Sequence, residues 1–324
     1  MPGALHGRVA GAFAILALAM GSQSLAQPAG QTIRIIYPFA AGGTGDALVR
    51  IVADRLQADL SQPVIVENRT GAAGQIGVNA VKSAAPDGTT LLYTPFAAMT
   101  IYPMVYRKLD YDPLKDFRPV SQLVTFDFGL AVGPNVPAKT PKQLADWLKA
   151  NPKEANYGSP GAGALPHFFG LLFGEAAGVK MNHIPYRGIP PALTDLVGGQ
   201  IPMVSATLTD LVAMHKDGKI RTIASSGPAR SAILPDVPTF KESGFDIEGV
   251  GWYGMFAPAG TPDAVVERVA KSVAAALKLP EVRERLTGFG FSVTGTTPAE
   301  LAAIQKDDMR RWEPVVKASG FQAD

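Results

Sequence analysis

Ile33-Arg34-Ile35-Ile36-Tyr37, then Pro38-Phe39-Ala40-Ala41-Gly42-Gly43-Thr44-Gly45-Asp46, then Ala47 through Leu60 is the stretch from which the fold can be read. The first five residues are a β-branched run of the kind that forms a buried strand. The middle is a loop whose glycines leave backbone N–H groups uncovered. The last piece repeats apolar residues at Leu48, Val49, Ile51, Val52, Leu56 and Leu60, the stripe of an amphipathic helix. Asp46 stands where an N-cap belongs, able to accept the orphan amides of the first turn. Strand, glycine loop and capped helix aim aligned donors and the positive end of a helix dipole at one point, which suits an anion.

Composition narrows the function. Arg8, the apolar run from Val9 to Met20 and the small-x-small Ser24-Leu25-Ala26 read as a secretory signal peptide, its apolar part too short for a membrane span. The mature chain then starts near Gln27 in the periplasm, and loss of Arg8 lowers the formal charge from +2 to +1. So small a surplus argues against a nucleic-acid partner, which demands a basic face. The absence of cysteine excludes thiolate metal sites, a Cys nucleophile and a lipid-modified N-terminus. An exported chain without disulfides must be held by its core, and 47% hydrophobic residues suffice. His167, His183 and His215 lack metal spacing, so neither metal nor cofactor is expected.

Outward from the opening stretch the alternation continues. Pro63 to Glu67 is a strand, Asn68 to Gly74 a second glycine loop, and Thr90 to Tyr93 a third strand. This β-α-β-α-β order predicts a parallel sheet wrapped by helices. Ligands of such sheets gather at the carboxyl ends of strands, where both glycine loops and Phe96-Ala97-Ala98 fall. Residues 120–132 read as extended. A second alternating half follows, with the loop Ser159-Pro160-Gly161-Ala162-Gly163 again between strand and helix. Gly251 to Pro258 reads as a strand returning to the first lobe, closed by helices from Pro262 and Pro298. The expected organisation is α/β, in two domains. Residues 1–26 form the signal peptide, 27–126 with 250–324 one lobe and 127–249 the other, each a mainly parallel sheet flanked by helices. Hinges are expected at 124–128 and 247–251.

At these residues the chain resembles the substrate-binding proteins of tripartite tricarboxylate transporters, the Bug family of periplasmic receptors. The matching pieces are Pro38-Phe39-Ala40-Ala41-Gly42-Gly43 with Asp46, Val66-Glu67-Asn68-Arg69 with Gly71 and Gly74, and Ala85-Pro86-Asp87-Gly88. Tyr111 to Phe117, Tyr157-Gly158-Ser159, Pro185-Tyr186-Arg187-Gly188, Leu234 to Thr239 and Ala257 to Pro262 continue them in the family's order. The resemblance implies a monomeric two-lobed receptor of Venus-flytrap type. It would close on a small carboxylate and hand it to a transporter's large and small membrane subunits. It also implies that Phe39, Ala41, Gly42, Gly43, Thr44 and Asp46 face Ser159, Pro160, Gly161 and Gly163 across the ligand, held through backbone groups and bridging waters. Phe96, Ala97 and Ala98 form a neighbouring loop, and His167 and Tyr186 are further candidate contacts. Many relatives carry Ser or Thr at Ala97-Ala98 and an Asp at the position of Ala206. With methyl groups there, and with Phe39, Phe96, Phe168, Phe169 and Tyr186 near the inferred cleft, the ligand is expected to be an aromatic or medium-chain dicarboxylate without an ammonium group.

Rival readings are weaker on the same residues. Gly43-Thr44-Gly45 lacks the third glycine of a dinucleotide fingerprint, where Leu48 stands, although Glu67 occupies the place of a ribose-binding acid. Ser159 has Tyr157 where a nucleophile elbow needs glycine, and no paired base is evident for a hydrolase; it is read instead as a hydroxyl donor to ligand. Asp46 is read as a cap rather than a contact, since it would repel a bound carboxylate. Arg187 could pair with a distal carboxylate. A sensory receptor presenting ligand to a membrane signalling partner would look the same as a transport receptor.

Overall fold

The computed structural model describes residues 30–323, so the expected signal peptide lies outside the described residues. In chain order, β1 (Ile33–Tyr37), α1 (Thr44–Leu60), β2 (Val64–Asn68), α2 (Gln75–Lys82) and β3 (Thr90–Pro95) form the opening unit, with β1 parallel to both β2 and β3. The single turns α3 (Ala97–Thr100) and α4 (Tyr102–Val105) lead to β4 (Phe117–Phe126). Only Asp127 separates β4 from β5 (Phe128–Val132), which belongs to a different sheet. There follow α5 (Pro141–Ala150), β6 (Asn156–Ser159), α6 (Leu165–Ala177), β7 (Asn182–Pro185), α7 (Ile189–Val197), β8 (Met203–Thr207), α8 (Leu208–Lys216) and β9 (Arg221–Ser225). The chain returns through β10 (Gly251–Pro258). It ends with α9 (Asp263–Lys278), α10 (Pro280–Gly288), β11 (Ser292–Val293) and α11 (Pro298–Ser319).

The sheets run β11-β4-β10-β3-β1-β2 and β7-β6-β8-β5-β9. Both are mixed, which corrects the expectation of mainly parallel sheets. β10 pairs antiparallel with β3 and β4, and β5 antiparallel with β8 and β9. The cause is the interlobe crossing: a strand that enters a sheet from the other lobe arrives without a helical crossover to reverse it.

The stripe of α1 is buried as its spacing demands, with Leu48, Val49, Val52 and Leu56 at no exposure. At about 1.5–3 kcal/mol for each large apolar side chain removed from water, this face fixes the helix on the sheet far more strongly than any cap. A chain of aromatic contacts then runs through both lobes. Tyr37 meets Tyr93, Tyr93 stacks on Tyr253, Tyr253 meets Phe126, Phe126 meets Phe128, and Phe128 meets Phe169, all with ring centroids between 5.1 and 5.6 Å. Phe169 ends edge-on to Trp312 of α11. The last helix therefore touches both lobes, and Asp308 on it accepts a 2.7 Å hydrogen bond from the indole of Trp252 in β10.

Candidate ligand site at the strand ends

The β1–α1 loop is built from behind by Asp46. The helix starts at Thr44 with Gly43 as N-cap and no side-chain cap, so Asp46 is the third helical residue rather than the cap the sequence suggested. Its carboxylate reaches back to the amide of Gly42 at 3.1 Å, accepts Arg50 Nε and Nη2 at 2.9 and 3.1 Å, and accepts Asn68 Nδ2 at 3.0 Å. Burial opposes its charge, but Arg50, Asn68 and the Gly42 amide outweigh it and hold its pKa below the usual carboxylate range. Asn68 also donates to the carbonyl of Phe39. Gly42 takes φ +93°, a left-handed turn that a side chain would strain, and this lets the next amides point outward. Among the described residues none accepts a hydrogen bond from the amides of Gly43 or Thr44. Ala41, Gly42, Gly43 and Thr44 are all exposed. The result is an open anion nest on a helix N-terminus.

The second-lobe loop is different. Ser159 is wholly buried, its Oγ 2.7 Å from His183 Nε2 and 3.0 Å from the carbonyl of Gly161. The amide of Gly163 donates to His167 Nδ1 at 3.2 Å, and that of Gly161 to Ser159 Oγ at 3.4 Å. His167 and His183 stack with centroids 3.9 Å apart. Burial pushes the first down to about 4, and burial with the neighbouring ring pushes the second down to about 3, so both are neutral near pH 7. Two donors expected to face ligand, the Ser159 hydroxyl and the Gly163 amide, are thus occupied inside the loop. His167 is a scaffold of that loop, with Phe321 from the C-terminal tail edge-on at 5.3 Å. The structure also supplies the base that the sequence did not show beside Ser159. The pair is nevertheless shut from solvent at the serine, and among the described residues no carboxylate orients the histidine.

The other expected contacts divide. Phe39 and Ala97 are half-buried and Pro160 and Gly161 partly open, so all four can meet a ligand. Phe96 and Ala98 are buried, the first tilted against Trp252, the second giving its carbonyl to Tyr111. Tyr186 is half-buried and donates to Asp195 at 2.7 Å, its ring lying against Gly158. Ala206 is fully buried in the second-lobe core between β8 and β5, which corrects its placement in the cleft. Phe168 and Phe169 are core residues as well. A cavity of about 280 Å³ lined by Trp147, Asn151 and Glu154 sits by the turn before β8, at the opposite edge of that sheet from these loops.

Residues unnoticed in the sequence stand behind the first turn of α1. The hydroxyls of Tyr37 and Tyr253 bond to each other. Both lie 2.6 Å from where a Cβ on Gly45 would stand, in the first turn of α1. The charge of Asp210, in the first turn of α8, is felt at Tyr253. The start of α1 thus lies directly against Tyr253, with Asp210 near enough for its charge to act there. The only sequence signal was its place in the returning strand.

Comparison with known proteins accords with this architecture. The family described as tripartite tricarboxylate transporter family receptor matches residues 48–321. The chain belongs to that family. It is similar to the protein BugT of Bordetella pertussis, 31% identical over 89% of each chain. It is also similar to MatC of Rhodopseudomonas palustris solved with malate, at 31% identity and TM-score 0.75, covering 88% of this chain and 99% of MatC. An adipate-bound R. palustris protein superposes at TM-score 0.80 with 30% identity, covering 91% of this chain and 99% of that one. Both solved structures share the α/β fold of this chain.

Proposed function

We propose that this chain is an exported, non-catalytic receptor that closes on a small carboxylate and delivers it to large and small membrane subunits. Closure brings the lobe of 27–126 with 250–324 onto that of 127–249, about hinges at Asp127 and the approach to Gly251. The unpaired amides of Gly43 and Thr44 at the positive end of α1 carry this reading: a carboxylate there gains charge-assisted bonds that water alone satisfies in the free protein. The relatives bound to malate and adipate support a carboxylate as the ligand class. Enzyme action on a carboxylate is disfavoured, because Ser159 is inaccessible and the nest carries no titrating group within its exposed rim.

Thermal shift and calorimetry of the mature protein against mono-, di- and tricarboxylates test the reading. A ligand at a hundred times its Kd adds about 2.7 kcal/mol of stability. A panel in which no carboxylate raises the melting temperature, or turnover of any of them, refutes it.

A further inference from the structure

A cavity of about 320 Å³ lies between α11 and the first sheet, beside the segment through which the chain re-enters that sheet. Successive strand residues face opposite sides. Tyr253 lies against Gly45 of α1, whereas Trp252 reaches Asp308 of α11. The cavity is on the Trp252 side, walled by Ile304, Asp308 and Arg311 of α11 and by Gln122 of β4. Pro228 and Val250, from the second crossing between the lobes, close its end.

Gln122 is what makes this more than a gap in packing. The residue is only 4% exposed, and its backbone amide and carbonyl are both engaged. Among the described residues its side-chain amide has no hydrogen-bond partner. Gln122 stands opposite Gly254 on β10, and a Cβ on Gly254 would point at Trp252 and Phe256. Paired residues share a face of the sheet, so the Gln122 side chain points to the Trp252 side, into the cavity. A primary amide buried this deeply is costly unless something in the cavity meets it.

Asp308 decides the sign of the charge. One of its oxygens accepts the Trp252 indole at 2.7 Å, and among the described residues no cation lies within ion-pair distance of it. Desolvation raises its pKa, and the Trp252 hydrogen bond and the more distant charge of Arg311 offset this only in part. The neighbouring acids are already matched, Glu248 by Lys241 at 3.0 Å and Asp307 by Arg310. Arg311 is exposed on the rim and makes no ion pair among the described residues. A free carboxylate oxygen and an amide oxygen thus face one space with apolar walls from Ile304, Val250 and Pro228.

We propose that this cavity binds a primary ammonium compound with a short aliphatic chain. Its N–H groups donate to Asp308 and to the Gln122 side-chain oxygen, and its chain lies against Ile304 and Val250. The site is separate from the Gly43–Thr44 nest, since β10 and β3 stand between β4 and β1 in the sheet.

The test is calorimetry of the mature protein with butylammonium chloride, and with butan-1-ol as its uncharged match. Butylammonium is expected to bind with a Kd of about 1 mM or tighter, and butan-1-ol about tenfold more weakly or worse. Asp308→Asn and Gln122→Leu, each verified as folded by its melting curve, should each weaken the ammonium about tenfold. Arg311→Gln removes the rim cation and should tighten it. In NMR spectra of the wild-type protein the Trp252 indole N–H resonance should move as butylammonium is added. An ammonium that binds no more tightly than the alcohol, affinity unchanged in both Asp308→Asn and Gln122→Leu, or an unmoved Trp252 resonance overturns the proposal. Should neither variant fold, the wild-type titrations and the Trp252 resonance decide alone.

Discussion

Removing the carboxylate of Asp46 is the perturbation that most directly links fold to site. In Asp46→Ala, the Gly42 amide loses its acceptor, Arg50 its bidentate partner, and Asn68 one of the two acceptors of its amide. Hydrogen bonds to a charged group are worth about 1.5–3 kcal/mol each. Arg50, however, is 46% exposed and regains water when its partner leaves, so the full sum does not apply. The Gly42 amide lies in an exposed loop and is likewise rehydrated. A net loss of about 2–3 kcal/mol follows, a melting temperature lower by roughly 3–5 °C for a chain of this size. The site suffers as well, because Gly42 and the Phe39 carbonyl no longer hold the loop in its left-handed turn. The amides of Gly43 and Thr44 must then be ordered at the moment of binding, and affinity for the tightest carboxylate in the panel is expected to fall about tenfold. Asp46→Asn keeps one acceptor and should lie between. Calorimetric melts and titrations read both quantities. A variant that melts within about 1 °C of wild type and binds within about twofold would refute the view that Asp46 preorganises the nest.

Gly45→Ala places a methyl group 2.6 Å from the hydroxyls of Tyr37 and Tyr253; overpacking of about 1–3 kcal/mol should exceed the roughly 1 kcal/mol gained in helix propensity, and an unchanged or higher melting temperature would contradict it. Tyr93→Phe deletes a buried hydroxyl without a partner, so the ligand-free protein should be as stable or more stable by about 1 kcal/mol, whereas a loss of that size in denaturant melts would show that the hydroxyl is satisfied. Opposed pH slopes are expected from two sets of titrating groups in the second lobe. His167 and His183, pushed down to about 4 and about 3, bind protons first in the unfolded chain, so their contribution is whole above 6.5 and is lost as pH falls toward 4. Asp127 and Asp210, pushed up to about 6, bind protons first in the folded chain and favour it as pH falls from 6 toward 3.8. An Asp127→Asn, Asp210→Asn double variant should therefore lose more melting temperature than wild type between about pH 7 and pH 4.5, and parallel curves would refute the assignment.

What the sequence disclosed and what it withheld separate along a physical line. The stripe from Leu48 to Leu56 is a local, 3.6-residue pattern, and it found the same buried face in three dimensions. The glycines at 42 and 43 are local too, and their amides are open. The direction of a strand is not local: β5 and β10 look like any other apolar run, and only the two crossings between sheets, at Asp127 and before Gly251, make them antiparallel. Side-chain satisfaction is equally invisible. Ser159 and His183 are 24 residues apart, yet β6 and β7 pair in parallel with Tyr157 opposite His183, and this places the imidazole where it occupies the serine hydroxyl.

The same distinction explains the place of Ala206. Ala206 was read by position, as the end of a strand beside a cleft, but alternation along β8 turns that side chain to the core. Asp210 lies four residues on, one helical turn into α8, and Asp127 lies in another part of the chain altogether; neither has a neighbour in sequence that marks it. The first residue of α8 donates its amide to the carbonyl of Asp127, the residue that joins the two sheets, so the start of α8 is tied to the crossing by a contact that no local pattern in the sequence marks.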